Sequence, residues 1–357
     1  MTLRGDFGRW PMSLAAWWRP TLVATPAGTE RRSMRAVTLN TTDVALDELE
    51  NYRRELTGYC YRMLGSGFEA DDAVQETMVR AWRAAASFEG RSSARSWLYR
   101  IATNVCIDML RGRERRARPM ELGPFSPPHE SFLGPMLPEH AWVSPMADTR
   151  VLPEDGDPAE IAAARESIRL AFVTALQHLP ARQRAALILC EVLRWQATEV
   201  AELLETTVAA VNSALQRARA TLATASVRER APVIDADQRE LLARYVDAFE
   251  RYDVSTLVTL LHDDAVQSMP PYAMWIRGAS EIGSWLLGPG NGCRGSRLLP
   301  TAANGCPAFG QYRIDPEGGH QPWALQVLEI SDGKISGFHA FLDTNLFAAF
   351  GLPSHLP

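Results

Sequence analysis

Lysine is all but missing from this sequence: Lys334 is the only one among 37 basic residues. Such a skew reflects a GC-rich genome, so an arginine at any one position says little by itself. Cysteine is sparse too. Cys60, Cys106, Cys190, Cys293 and Cys306 form no C-x-x-C pair and no His/Cys cluster at zinc spacing, so no metal is expected. Three of them fall on helix faces expected to be buried, where a free thiol behaves as a small hydrophobe. That usage fits a reduced, cytoplasmic setting. No apolar run approaches the roughly 18 residues of a membrane span, so no membrane is expected as a partner. The opening "MTLRGDFGRWPMSLAAWWRP" holds only a short apolar patch, broken by Pro11 and lacking a clear cleavage site, which argues against a signal peptide. Residues 1–44 read as a disordered N-terminal extension, with Met34 a second candidate start.

What is present points to several domains. At 357 residues the chain is too long for one ordinary core. An apolar content of 46% with 22% charged residues is that of a globular protein. The net charge of −5 would disfavour nucleic acid if it were spread evenly, but totals hide distribution. Residues 45–118 are helical in pattern, with no proline in the helical stretch before Pro119. Residues 119–158 carry nine prolines with scattered acids (Glu121, Glu130, Glu139, Asp148, Glu154, Asp155, Asp157). Such a stretch buries too little to fold and reads as a linker. Helical periodicity returns over 159–230. After Pro232 come helices, then alternating runs such as "ALQVLEI" and "ISGFHAFL" that read as strands, making 235–357 an α+β domain.

Three segments carry the chemistry. In "EADDAVQETMVRAW", Ala70, Ala73, Val74, Thr77, Met78, Ala81 and Ala85 form a helical apolar stripe. The opposite face offers Asp71, Asp72, Gln75, Glu76, Val79, Arg80 and Arg83. Asp72 and Glu76 lie one turn apart, where like charges are mildly unfavourable. A second segment, Phe88 to Arg118, opens as a Gly/Ser loop. It becomes a helix burying Leu98, Ile101, Ala102, Val105 and Met109, with Arg95, Tyr99, Arg100, Thr103, Asn104 and Arg111 outward. It ends in Arg111, Arg113, Arg115, Arg116 and Arg118, opposed only by Glu114. Aromatics beside arginines suit stacking of unpaired bases against held phosphates. The bland alternative is a core Trp97 and a basic helix end favoured by the macrodipole.

The third and most specific segment runs from Leu179 to Leu222. "LPARQRAALILCEVL" is a helix opened at Pro180, "QATEVAELLE" a short helix, Thr206 and Thr207 a turn and N-cap, and "VAAVNSALQRARATL" a longer helix. Val208, Val211, Leu215, Ala218 and Leu222 form its buried stripe. Ala209, Asn212, Ser213, Gln216, Arg217 and Ala220 face out, small first and then polar or basic. That is a helix-turn-helix whose second helix suits a major groove; the alternative is a three-helix bundle with a solvated face.

Taken together, "YRMLGSGFEADDAVQETMVRAWRAAASFEGRSSARSWLYRIATNVCIDMLR" and "LPARQRAALILCEVLRWQATEVAELLETTVAAVNSALQRARATL" resemble the bacterial RNA polymerase sigma factors of the extracytoplasmic-function class. The resemblance implies two all-helical sigma domains and no covalent chemistry, hence no enzyme and no cofactor. It implies core RNA polymerase as partner, through the clamp of its largest catalytic subunit and the flap of the second subunit, together with promoter DNA. Asp71, Asp72, Gln75, Glu76, Val79 and Arg80 match the polymerase-docking helix. Phe88, Arg91 and Ser92 match a pocket for a base flipped from the minus-ten element. Trp97, Tyr99, Arg100, Asn104 and Arg111 match the helix that holds that element. Thr207, Asn212, Ser213, Gln216 and Arg217 match the minus-thirty-five reader. Where relatives carry larger or basic residues this chain has Ala209, Ala210 and Ala214, so base preference does not carry over. The acidic linker matches a segment threading the polymerase cleft.

The last domain is similar to the SnoaL-like branch of the nuclear-transport-factor-two-like fold, an α+β cone. The carriers are "DQRELLARYVDAFERYDVSTLVTLLHDDAVQSMPPYAMWIRGASEIGSWL" and the strands after it. The resemblance implies a cavity, with Tyr245, Met269, Tyr272, Trp275, Trp285, His339 and Asp343 as candidate lining and a small ligand or an intramolecular contact as occupant. Some relatives of the fold are isomerases or cyclases using an Asp/His pair. Asp247 or Asp343 with His339 are the pairs available here. Core aromatics and a regulatory role form the competing expectation. A helix-turn-helix regulator of another kind is the alternative for the whole chain.

Overall fold

In the computed structural model, which describes residues 49–85, 93–153, 157–224 and 236–357, three helices come first: α1 (Arg53–Leu64), α2 (Gly67–Ala84) and α3 (Ala94–Leu110). Gly65, in the left-handed region at φ 73°, ends α1 by donating its N–H to Tyr61 O. Ser66 then caps α2, accepting from Glu69 N at 3.4 Å. Helix α2 buries Ala70, Ala73, Val74, Thr77 and Ala81, with Met78 half-buried, so small side chains let it lie close to α1. Ser93 caps α3 through Ser96 N at 3.1 Å. That helix buries Leu98, Ala102 and Val105 as expected, while Ile101 and Met109 are half-buried. Tyr99 and Thr103, expected outward, are buried as well, with Tyr59 Oη 2.7 Å from Thr103 Oγ1.

The proline-rich stretch does not behave as its composition suggests. Its described part is laid down in short 3-10 turns and ends in the brief helix α4 (Asp148–Val151). Trp142, Val143, Met146, Ala147, Val151 and Leu152 are buried. The segment has no core of its own and inserts single apolar side chains into those of its neighbours. Its backbone bonds partly within its own short turns and partly to those neighbours: Tyr61 Oη donates to Ser144 O at 2.9 Å, Ser126 N to Trp275 O at 2.8 Å, and Leu137 N to Pro271 O at 2.9 Å. Composition gauges what a segment buries by itself and is blind to burial against other domains.

Helices α5 (Pro158–Glu166), α6 (Leu170–Gln177), α7 (Ala181–Leu187), α8 (Ala197–Leu203) and α9 (Val208–Thr224) form the second helical body. A π-helical turn, Ile188–Val192, prolongs α7. Thr207 caps α9, its Oγ1 accepting from Ala210 N at 3.2 Å. Val211, Leu215 and Ala218 are buried, but Val208 is 38% exposed because it sits in the first turn, where the helix leaves its support.

The C-terminal domain follows with α10 (Ala236–Glu250), α11 (Val254–Leu260), β1 (Leu261–Ser268), β2 (Trp275–Arg277), α12 (Ala279–Leu287), β3 (Arg297–Ala303), β4 (Cys306–Ile314), β5 (His320–Ser331), β6 (Lys334–Phe341) and α13 (Asn345–Ala349). The sheet order is β2-β1-β6-β5-β4-β3, parallel at β1–β6 and antiparallel elsewhere. Side chains alternate between its faces. Leu328, Ile330, Phe338 and Ala340 share a core with Tyr245, Phe249, Leu257, Ile282 and Trp285 of the helices. Ala303, Cys306, Ala308, Leu325, Val327 and Phe341 instead join the core of the helical domains and linker. One hydrophobic core thus runs from Leu49 to Leu346, and every described residue belongs to the unit spanning 40–357.

Candidate nucleic-acid interface

The helix-turn-helix presents an open surface. Thr207, Asn212, Gln216 and Arg217 are exposed and Ser213 is half-buried. Arg217 Nη1 donates to Ser213 Oγ at 2.6 Å, which orients the guanidinium along the outer face of α9. Ala209 and Ala220 are exposed beside them, keeping the helix slim enough to enter a groove.

The acidic face of α2 is less acidic in space than in sequence. Asp72 and Gln75 are exposed, while Glu76 pairs with Arg80 at 2.7 Å, and Arg80 also lies 3.9 Å from Asp108. Asp71 pairs with Arg150 of α4. Val79 is half-buried, and beside it Trp82 stands 57% exposed. Trp82 was not among the expected docking residues. Its place at the edge of the polar face, outside the apolar stripe, was the signal.

On α3 the expected residues separate. Asn104 is exposed, and Arg111 is 75% exposed with Asp108 at 3.1 Å. Trp97 is half-buried against the core. Tyr99 is fully buried between Tyr59, at a ring-centroid distance of 5.1 Å, and Trp195, at 5.0 Å. Burial pushes its hydroxyl well above the usual tyrosine range. Trp195 comes from the turn ahead of α8, aimed there by Arg194 in the left-handed region at φ 60°. Arg95 lies over both rings, 5.5 Å from Tyr99 and 5.2 Å from Trp195. Its fork donates to Glu55 at 2.7 and 3.1 Å. Arg100 lies 3.8 Å from Glu202 of α8. Phe88, Arg91 and Ser92 lie outside the described residues.

The basic run that ends α3 finds acids its own segment lacks. Arg113 and Arg116 both pair with Glu69, the latter at 2.8 Å. Arg115 reaches Glu121 at 3.6 Å, and Arg118 reaches Glu329 on β5 at 3.5 Å. These charges fasten the linker and sheet to the bundle, which sequence neighbours alone did not signal.

The C-terminal candidates do not converge on one cavity. Tyr245 and Trp285 lie in the core beneath the helices. Tyr245 Oη donates to Gln326 Oε1 at 2.7 Å, and burial pushes the hydroxyl well up. His339 is on the opposite face of the sheet, since Phe338 and Ala340 flank it on the helix side. Its Nδ1 lies 2.8 Å from Ser268 Oγ, and its Nε2 lies 3.5 Å from Glu329. Asp247 is 62% exposed and paired to Arg251 on the helix-covered side of the domain. Asp343 accepts from Asn345 N at 3.0 Å and lines a groove of about 410 Å³ with Pro270, Pro271 and the linker's Met136 and Trp142. Tyr272 bridges to Met136, and Trp275 Nε1 donates to Gly123 O at 2.9 Å. Met269 packs at the edge of the helix-side core. The carboxylate facing His339 is thus Glu329, readable only once β5 has a partner strand. No metal-competent group of His, Cys, Asp and Glu occurs among the described residues.

Comparison with known proteins accords with this layout. Residues 49–116 match Sigma-70 region 2, residues 169–222 match Sigma-70 region 4, and residues 242–338 match a SnoaL-like domain. The chain belongs to the extracytoplasmic-function (ECF) RNA polymerase sigma factors, which makes it a transcription initiation factor. It is 45% identical over 317 residues to the ECF RNA polymerase sigma factor SigG of Mycobacterium tuberculosis, covering 86% of this chain and 83% of that one. It is 28% identical over 308 residues to SigJ of the same organism, covering 81% of this chain and 89% of that one. The crystal structure of SigJ superposes with a TM-score of 0.56 at 22% identity, over 86% of this chain and 100% of that chain, a likeness of fold. No helix among the described residues is long and apolar enough to cross a membrane.

Proposed function

We propose that this sigma factor acts in the cytoplasm by binding core RNA polymerase through α2, reading a minus-thirty-five element with α9 and holding a melted minus-ten element on α3. The observation that carries the reading is the outer face of α9. Asn212, Gln216 and Arg217 stand exposed on a helix whose other face is locked into the core, the arrangement that presents side chains to base edges. On α2, Asp72, Gln75 and Glu76 with Val79, Arg80 and Trp82 suit a basic protein surface carrying an apolar pocket. Binding energy released on unpaired bases offsets an unstacking cost of about a few kcal/mol per base, so no covalent step is required of the chain. Region 4 would also meet the flap of the second polymerase subunit.

The C-terminal domain acts as a regulatory, non-catalytic module. His339 is enclosed by Ser268 and Glu329 on the face turned to the helical domains, and the candidate acids for an Asp/His pair are engaged elsewhere. Run-off transcription with core polymerase tests the reading: promoter-dependent transcripts should require both proteins. Tight binding of duplex promoter DNA by the chain alone would contradict it.

A further inference from the structure

We propose that the basic run closing α3 and the buried Arg184 of α7 together hold a small phosphate-class anion. The cavity that would receive it, of about 220 Å³, is lined by Arg113, Arg115 and Arg116 of that run, by Arg184, and by the acids Glu69 and Glu114. The inference stands on this charge arrangement and does not depend on how the chain reads a promoter.

The charges around the cavity do not balance. Four guanidinium groups line it against two carboxylates, which leaves two positive charges. One of those carboxylates is shared: Glu69 pairs with Arg113 and, at 2.8 Å, with Arg116. Arg115 turns to Glu121 at 3.6 Å, but that carboxylate also holds His178 at 2.6 Å. Glu114 is exposed to solvent.

Arg184 is the extreme case. It is only 4% exposed. Its Nη1 donates to Met63 O and, at 2.6 Å, to Gln177 Oε1, while Nη2 donates to Gln177 O at 3.1 Å and Leu179 O at 3.0 Å. Every one of these acceptors is neutral, and Nε finds no acceptor among the described residues. Burial pushes the pKa down to about 10, as happens to a cation taken out of water without a counter-charge. An anion entering beside it would supply that counter-charge.

Size and shape select the anion. A guanidinium fork matches two oxygens of a phosphate. The forks here come from two separate segments, so a tetrahedral anion can be met on more than one side. At about 30 Å³ per water the cavity has the volume of about seven waters, room for one or two phosphate groups. Pockets for drug-sized molecules begin at about 300 Å³, so the nucleoside of a nucleotide would stay outside. The two unbalanced charges equal those of a phosphate dianion. The remaining lining includes His140 of the linker, Gln177 of α6 and Ala181 of α7, residues that only the folded chain brings together. Binding should therefore raise the melting temperature.

Isothermal titration calorimetry on the full chain, with ionic strength held constant by chloride, tests this with inorganic phosphate, pyrophosphate and ATP. The expected result is saturable binding at one site. At about ten times the dissociation constant, the melting temperature should rise by about 2 °C. Arg113→Gln with Arg115→Gln, both exposed positions, should weaken binding at least about tenfold. Glu114→Gln, which removes a repelling charge from the lining, should instead tighten it about threefold. Tighter binding by ATP than by pyrophosphate, with the same response to the variants, would support the site and identify the phosphate as one carried on a nucleotide. No saturable binding of any of the three, or binding that neither variant moves, would overturn it. Displacement of bound phosphate by single-stranded oligothymidylate of about 20 nucleotides would also overturn it, in favour of a contact with nucleic-acid backbone.

Discussion

Asp148 sits where linker, sheet and region 4 meet, and its pKa gives a pH signature. Burial pushes its carboxyl from 3.8 to about 6, against the Gly305 N–H and the charges of Arg165 and Arg169. A folded-state pKa above the unfolded value means that the folded chain binds the proton more tightly. The associated stability is full below pH 3.8 and is lost as pH rises through about 6. At about 1.4 kcal/mol per unit, the ionised carboxylate at neutral pH weakens the fold by no more than about 3 kcal/mol. Asp148→Asn, which keeps an acceptor for Gly305, should therefore melt above wild type at pH 7.5, with the gap narrowing towards pH 5. A gap independent of pH would contradict this. On α9, Gln216→Ala should cost about 1–3 kcal/mol of discrimination at one base pair of the minus-thirty-five element, read by transcription from single-base promoter variants. An equal loss on every variant would assign Gln216 to phosphate contact.

At the scale of elements, α2 carries the clearest prediction. Asp72→Arg with Glu76→Arg should abolish binding to core polymerase in a pull-down while moving the melting temperature little. Asp72 is exposed, and the Glu76–Arg80 pair at i,i+4 contributes only about 0.3–0.5 kcal/mol. Trp82→Ala should weaken the same binding at least about tenfold, as an aromatic anchor would. Loss of folding in either case would make the face structural. Helices α2 and α9 were legible because their stripes obey a 3.6-residue period that needs no knowledge of neighbours. Helix α3 was legible only in part. Ala102 and Val105 follow the period, but Tyr99 is covered by Trp195, far away in sequence, and no local pattern encodes that contact. Val208 fits the stripe of α9 and is exposed because a helix's first turn can overhang its support.

For the whole molecule, the sequence separated the segments but not their docking. The linker's prolines signal poor intrinsic burial, yet Trp142, Val143 and Met146 are buried by other domains. The run "ALQVLEI" signals a strand without saying that Leu325 and Val327 would face the helical domains. It follows that a chain ending at Arg230 leaves the seam around Tyr61, Met146 and Ile168 uncovered. That truncation should melt at least about 5 °C below the full chain and bind a hydrophobic dye. An unchanged melting temperature would contradict the shared core. Run-off transcription with core RNA polymerase, using the full chain and its Asp72→Arg/Glu76→Arg form, decides whether this chain works through polymerase docking on α2. Promoter-dependent transcripts are expected with the full chain and none with the altered one. Transcripts of equal yield from both, or duplex promoter binding that needs no polymerase, would contradict it.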